Sequence, residues 1–153
     1  MSNLKRIALA VAAVAALQAP IAALADGPAH STVGVGGYDL VSYHTGKKPL
    51  RGNGNHVAVH DSVTYLFSSA DNLRTFEADP ARYVPAYGGW CAYGVSVGKK
   101  FVGDPDVWKV VDGRLYLNLD TGIQEKWQED VDGRIAKADS VWPRIKSRAP
   151  SEL

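Results

Sequence analysis

The stretch Trp108-Lys109-Val110-Val111-Asp112-Gly113-Arg114-Leu115-Tyr116-Leu117-Asn118-Leu119 constrains the fold more than any other. Two runs suited to strands flank an Asp-Gly pair. A two-residue turn between antiparallel strands needs positive φ at both central positions, and Asp-Gly adopts it at low cost. A tight hairpin is therefore expected here. Alternation puts Leu115, Leu117 and Leu119 on one face, with Tyr116 and Asn118 on the other. His56-Val57-Ala58-Val59-His60 also alternates with period two and returns through Thr64-Tyr65-Leu66-Phe67 after Asp61-Ser62-Val63, which predicts a second hairpin.

Helices are expected after each hairpin. Ser69 is a suitable N-cap for a helix over residues 70–78 that carries Leu73 and Phe76 on one face and ends at Asp79-Pro80. Asp120 or Thr121 caps a second helix, in which Ile123 and Trp127 are spaced i, i+4. A third, over 133–142, carries Ile135, Ala138, Val141 and Trp142 and is expected to stop at Pro143. Asp39 caps a short helical turn over Leu40 to Tyr43, and residues 46–55 read as a loop rich in Gly, Asn and Lys. The fold class is α+β: a small twisted antiparallel sheet with short helices packed around it. No repeat, second domain or low-complexity segment is evident.

The first residues set the compartment. Lys5 and Arg6 precede an apolar run from Ile7 to Leu24, which closes on Ala23-Leu24-Ala25 before Asp26. A basic start, an apolar middle and a small-residue exit make a cleavable secretory signal over residues 1–25. Pro20 and the many alanines leave the run too weakly apolar for a membrane anchor. The expected organisation is a signal over 1–25, a flexible lead-in over 26–36, one domain over 37–145 and a tail over 146–153. The location is periplasmic or secreted, with no membrane attachment once the signal is removed. Formal net charge is +1 and stays near zero without the signal, so nucleic acid is excluded as a partner. The single cysteine, Cys91, allows no internal disulfide in an oxidising compartment. Such a thiol must be buried, bound to something or paired with another chain.

Several blocks resemble exported YHS-domain proteins. Gly37-Tyr38-Asp39-Leu40-Val41-Ser42-Tyr43 is similar to their G-Y-D-P-V-A-Y-F opening. Tyr65-Leu66-Phe67-Ser68-Ser69-Ala70, then Phe76 and Asp79-Pro80-Ala81-Arg82-Tyr83, resembles their second block. Tyr87-Gly88-Gly89-Trp90-Cys91-Ala92-Tyr93 resembles their Y-G-G-Y-C-A-Y signature. Asp104-Pro105, Trp108, Leu115-Tyr116-Leu117-Asn118, Trp127 and Trp142-Pro143 continue the likeness, which covers residues 36–143. The resemblance implies an α+β YHS-type domain and, through shorter domains attached to heavy-metal transport proteins, a role with soft metals. Those shorter domains carry cysteines in a D-P-V-C-G-M block and an F-C-S-x-x-C block. Here Leu40, Val41 and Ser42 stand near the first place and Ser68 in the second, leaving Cys91 as the one thiolate.

Cys91 is accordingly the candidate ligand for copper or zinc, since thiolates favour Cu(I) and Zn(II). The alternative is a small buried hydrophobe in the Gly88-Gly89 turn. His56 and His60 are candidate helpers, but on a strand they lie about 13 Å apart, so only one can join Cys91. His44, His30 and the Asp104/Asp106 pair are weaker candidates. Tyr87, Gly88, Gly89, Trp90 and Tyr93 could wall a ligand pocket around Cys91. No nucleophile–base spacing, dinucleotide motif or phosphate loop marks an enzyme. The expected function is binding of a metal ion, a small molecule or another exported protein. The leading form is soft-metal handling through Cys91. The alternative is a metal-free ligand-binding or interaction module, with a thiol-dependent enzyme third.

Overall fold

The structure, a computed structural model, describes residues 32–153; the expected signal over residues 1–25 and His30 lie outside them. Strands β1 (Asn53–His60) and β2 (Val63–Phe67) form one antiparallel hairpin, and β3 (Asp104–Val111) and β4 (Arg114–Asn118) form another. The fold is α+β as expected, with its strands in two separate two-stranded sheets. The turn residues Asp61, Ser62, Asp112 and Gly113 all have positive φ, as two-residue hairpin turns require.

Helix α1 (Ala70–Ala78) follows the first hairpin, and Ser69 Oγ accepts from the Asn72 amide at 3.1 Å. Helix α4 (Thr121–Gln128) follows the second, and Asp120 Oδ1 accepts from the Ile123 amide at 2.8 Å. Between them lie α2 (Pro80–Tyr83), a turn at Ala86–Gly89 and the short α3 (Ala92–Ser96). The last helix, α5 (Val131–Ile145), corrects one expectation: Pro143 lies inside it. Proline there gives up the amide bond to the carbonyl one turn back and crowds that carbonyl, while burial of Ile145 holds the final turn. No helix among the described residues is long and apolar enough to cross a membrane.

The core has two parts with β4 between them. Leu115 and Leu117 enter a cluster with Leu40, Tyr43, Phe67 and Phe76. Tyr116 enters the other, with Tyr87, Val95, Trp127 and Ala138. The face of β4 opposite its leucines is thus a second buried face, and Asn118 is buried as well. Leu119, outside the strand, is partly exposed. Each fully buried aromatic or leucine contributes about 1.5–3 kcal/mol by leaving water, so two such clusters hold the chain without a disulfide.

Asp39 ties the first part together. Its buried carboxylate accepts from the amides of Val41 and Ser42 through Oδ1, and from the Ser68 amide, Ser68 Oγ and Asn72 Nδ2 through Oδ2. Asp39→Asn turns one acceptor into a donor facing donors, and is expected to cost about 1–3 kcal/mol in urea unfolding. Asp71→Asn, on the exposed face of α1, is expected to change stability by less than about 0.5 kcal/mol.

Candidate functional site

Cys91 is completely buried and caps α3. Its Sγ accepts from the Gly94 amide at 3.4 Å, and its thiol lies 3.7 Å from Asn118 Oδ1. Asn118 Oδ1 also accepts from the Tyr93 amide at 3.3 Å. Burial pushes the thiol pKa up, while the amides of Gly94, Leu119 and Tyr93 pull it down and Asp120 adds to the rise. The net effect favours the protonated thiol, a poor nucleophile and a poor metal ligand.

The two histidines lie on β1, and none of the hydrogen-bond partners of Cys91 is a histidine. His56, Ala58 and His60 form the half-buried face of β1, whereas Val57 and Val59 face outward, Val59 being 67 % exposed. The polar histidines thus lie on the inner face of the strand and the valines on the outer one. His60 stands edge-on to Phe76 with ring centroids 6.1 Å apart, and its Nε2 is 3.5 Å from Asp61 Oδ2. Among the described residues, no group of three or more His, Cys, Asp or Glu side chains is placed to hold a metal ion.

The Tyr87–Tyr93 segment divides. Tyr87 turns into the second core: its hydroxyl donates to Asp139 Oδ1 at 2.9 Å, and its ring meets those of Tyr116 and Trp142. Burial, then the Asp139 carboxylate, pushes its pKa far up. Tyr93 lies under the Arg134 guanidinium, 4.6 Å from ring centroid to carbon. Gly88, Gly89 and Trp90, however, line a half-open cavity of about 390 Å³.

Sequence reasoning did not find the opposite wall. It comprises Val33, Gly34, Val35 and Gly36, with Val63 and Tyr65 from the first hairpin. Residues 32–36, expected as a flexible lead-in, are ordered. Thr32 accepts from the Thr64 amide, Val33 bridges Thr64, and Gly34–Gly37 form a tight turn. Glycine is required at Gly34, where a Cβ would fall 2.4 Å from the Tyr65 ring. Val102, Gly103, Pro105 and Leu117 complete the lining, and no charged side chain belongs to it. Val33 and Val102, 45 % and 72 % exposed, are the apolar lining residues most open to solvent. The positive-φ pair Gly36-Gly37 was the available signal, since it repeats the Gly88-Gly89 pattern before an aromatic residue.

The chain matches no family model, no curated protein and no solved structure.

Alkylation should report the burial of Cys91: iodoacetamide is expected to label the native chain far more slowly than the urea-unfolded chain. The raised pKa also fixes a sign. Its contribution is fully present below the ordinary thiol value of 9.0. Above that value the unfolded chain sheds the proton more readily, so the contribution is lost as pH climbs toward the folded value. Cys91→Ser is expected to flatten that part of the alkaline decline in urea-unfolding stability.

Proposed function

We propose that this protein is an exported YHS-type binding module that works without a resident metal and takes an apolar ligand in the cavity between the two glycine turns. The observation that carries the reading is the cavity lining: glycine backbone, Val63, Tyr65, Trp90, Val102, Pro105 and Leu117, with no charged side chain. Its volume of about 390 Å³ falls in the range of small-molecule sites, roughly 300–1,000 Å³. Exposed Val33 and Val102 would add apolar surface for a ligand to cover. Such a ligand gains by leaving water and needs few polar anchors.

Catalysis is not part of the proposal, because the one thiol is enclosed and has no histidine among its hydrogen-bond partners. Soft-metal handling through Cys91 is disfavoured by the enclosure of the sulfur and by the lack, among the described residues, of a group of three or more His, Cys, Asp or Glu side chains placed to hold an ion. Export rests on the signal pattern of residues 1–25.

The test is titration with a neutral fluorescent naphthylamine, following both the dye and tryptophan emission, since Trp90 lines the cavity. Saturable binding at one site is expected. Val102→Glu, an exposed change at the cavity, is expected to weaken it at least about tenfold by placing a charge against the apolar ligand. No saturable binding, or equal binding by the variant, refutes the proposal.

A further inference from the structure

We infer that the chain contains a tandem duplication, with residues 33–83 and 85–134 as two copies of one unit, and that Cys91 caps the second copy as Asp39 caps the first.

The backbone carries the strongest evidence. Twelve described residues have left-handed φ, and they fall into six pairs in the same order along the chain. Val35, Gly36 and Gly37 (48°, 56°, 80°) match Tyr87, Gly88 and Gly89 (57°, 64°, 84°). Gly46 (72°) matches Gly98 (78°), and both precede Lys-Lys. After one residue fewer in the second copy, Asp61 and Ser62 (49°, 63°) match Asp112 and Gly113 (49°, 77°). L-residues seldom adopt this region, so the coincidence of non-glycine positions is informative.

Hydrogen bonds repeat with the backbone. Gly52 donates to the Gly37 carbonyl at 2.9 Å, and Gly103 to that of Gly89 at 3.1 Å. Asp39 donates to the Leu50 carbonyl at 2.9 Å, and Cys91 to that of Phe101 at 2.8 Å. Both hairpins carry an irregularity at the same place, between Asn53 and Val57 and between Asp104 and Trp108. At its start, Asn53 Oδ1 accepts from the Asn55 amide and Asp104 Oδ1 from the Asp106 amide. Ser69 and Asp120 cap the helices that follow, Phe76 and Trp127 are their buried aromatics, and Asp79 and Asp130 leave them with φ, ψ of −154°, 76° and −153°, 71°. Hairpins of one turn type share a turn; they have no reason to share caps, bulges and a preceding glycine turn.

This correspondence pairs Asp39 with Cys91, and the donors follow. The amides of Val41, Ser42 and Ser68 face the carboxylate; their equivalents Tyr93, Gly94 and Leu119 face the sulfur. The side-chain donors to Asp39, Ser68 Oγ and Asn72 Nδ2, are replaced by Leu119 and Ile123. A carboxylate with five donors in the first copy thus corresponds to a thiol with fewer and weaker ones in the second, and the polar side chains around it differ along with it. The cavity also draws equivalent residues from both sides of the duplication: Val33 with Pro85, and Gly36 with Gly88.

The test compares urea unfolding of Cys91→Ser with Cys91→Ala. Burial alone favours alanine, since a hydroxyl without a partner is costly. Capping favours serine, which keeps an acceptor for the amides. We expect serine to be the more stable, with a folded-to-unfolded ratio about fivefold higher, and Asp39→Ser to exceed Asp39→Ala likewise. Alanine equal to or above serine at residue 91 overturns the inference. Amide exchange on the unmodified chain gives an answer if a variant fails to fold. Gly94 and Leu119 should be protected, as Ser42 and Ser68 are; free exchange at the second pair with protection of the first overturns the equivalence.

Discussion

The first half of the molecule depends on one buried carboxylate. Removing a carboxylate from water is costly unless its oxygens are satisfied, and Asp39 satisfies them with five donors. Those donors come from three places: the turn after the Gly36-Gly37 pair, the residue after β2, and the first turn of α1. The acid therefore fixes where the strand stops, where the helix starts and how the incoming chain lies on both. Tyr43, held by its hydroxyl to the Pro105 carbonyl at 2.9 Å, then carries that order to the second hairpin.

The second half is closed by a cation. Lys100 is buried, and its ammonium donates to the carbonyls of Lys146 and Arg148 at 2.8 and 2.7 Å. A positive charge on the free carbonyls at a helix C-terminus is favourable, and here it holds the end of α5. The ammonium also lies 5.5 Å from the Trp90 ring and 5.4 Å from Trp142, within the range of cation–π attraction. Trp90 is thereby held between the helix end and the cavity it lines.

Local chemistry was legible in the sequence, and relations across the chain were not. Ser69, Asp120 and the Asp112-Gly113 turn act within a few residues, so their side chains announce their roles. The two faces of β4 follow from its alternation, but that Tyr116 and Asn118 face a second core is something no local pattern reveals. The valines of β1 face outward because the inner positions pack close to Phe76 and the first core, where Ala58 and the flat ring of His60 fit. Residues 32–36 looked like a lead-in because glycine density marks both loose chain and tight left-handed turns. The duplication is not legible in the sequence because its equivalent positions share conformation more than identity: Asp39 with Cys91, Phe76 with Trp127, Ser69 with Asp120. Of the candidate pocket, the glycines and Trp90 line the cavity, because backbone pattern fixed them. Tyr87 and Tyr93 went elsewhere, because nothing local says which way an aromatic ring turns.

The lone cysteine becomes intelligible in this setting. In an oxidising compartment an exposed thiol invites pairing with other chains or stepwise oxidation, both of which begin from the thiolate. Oxidation needs access and a thiolate; the enclosure of Cys91 denies the first, and the rise in its pKa depletes the second. A sulfur atom can still accept amide hydrogen bonds, weakly, while sitting among apolar neighbours that would penalise a carboxylate. The second copy lacks the serine and asparagine donors that make Asp39 tolerable, so a charge at residue 91 would face Asn118 Oδ1 with too few partners. A thiol can hold the turn there with less desolvation. Cysteine at this position suits surroundings without those two donors, with no metal required to explain it.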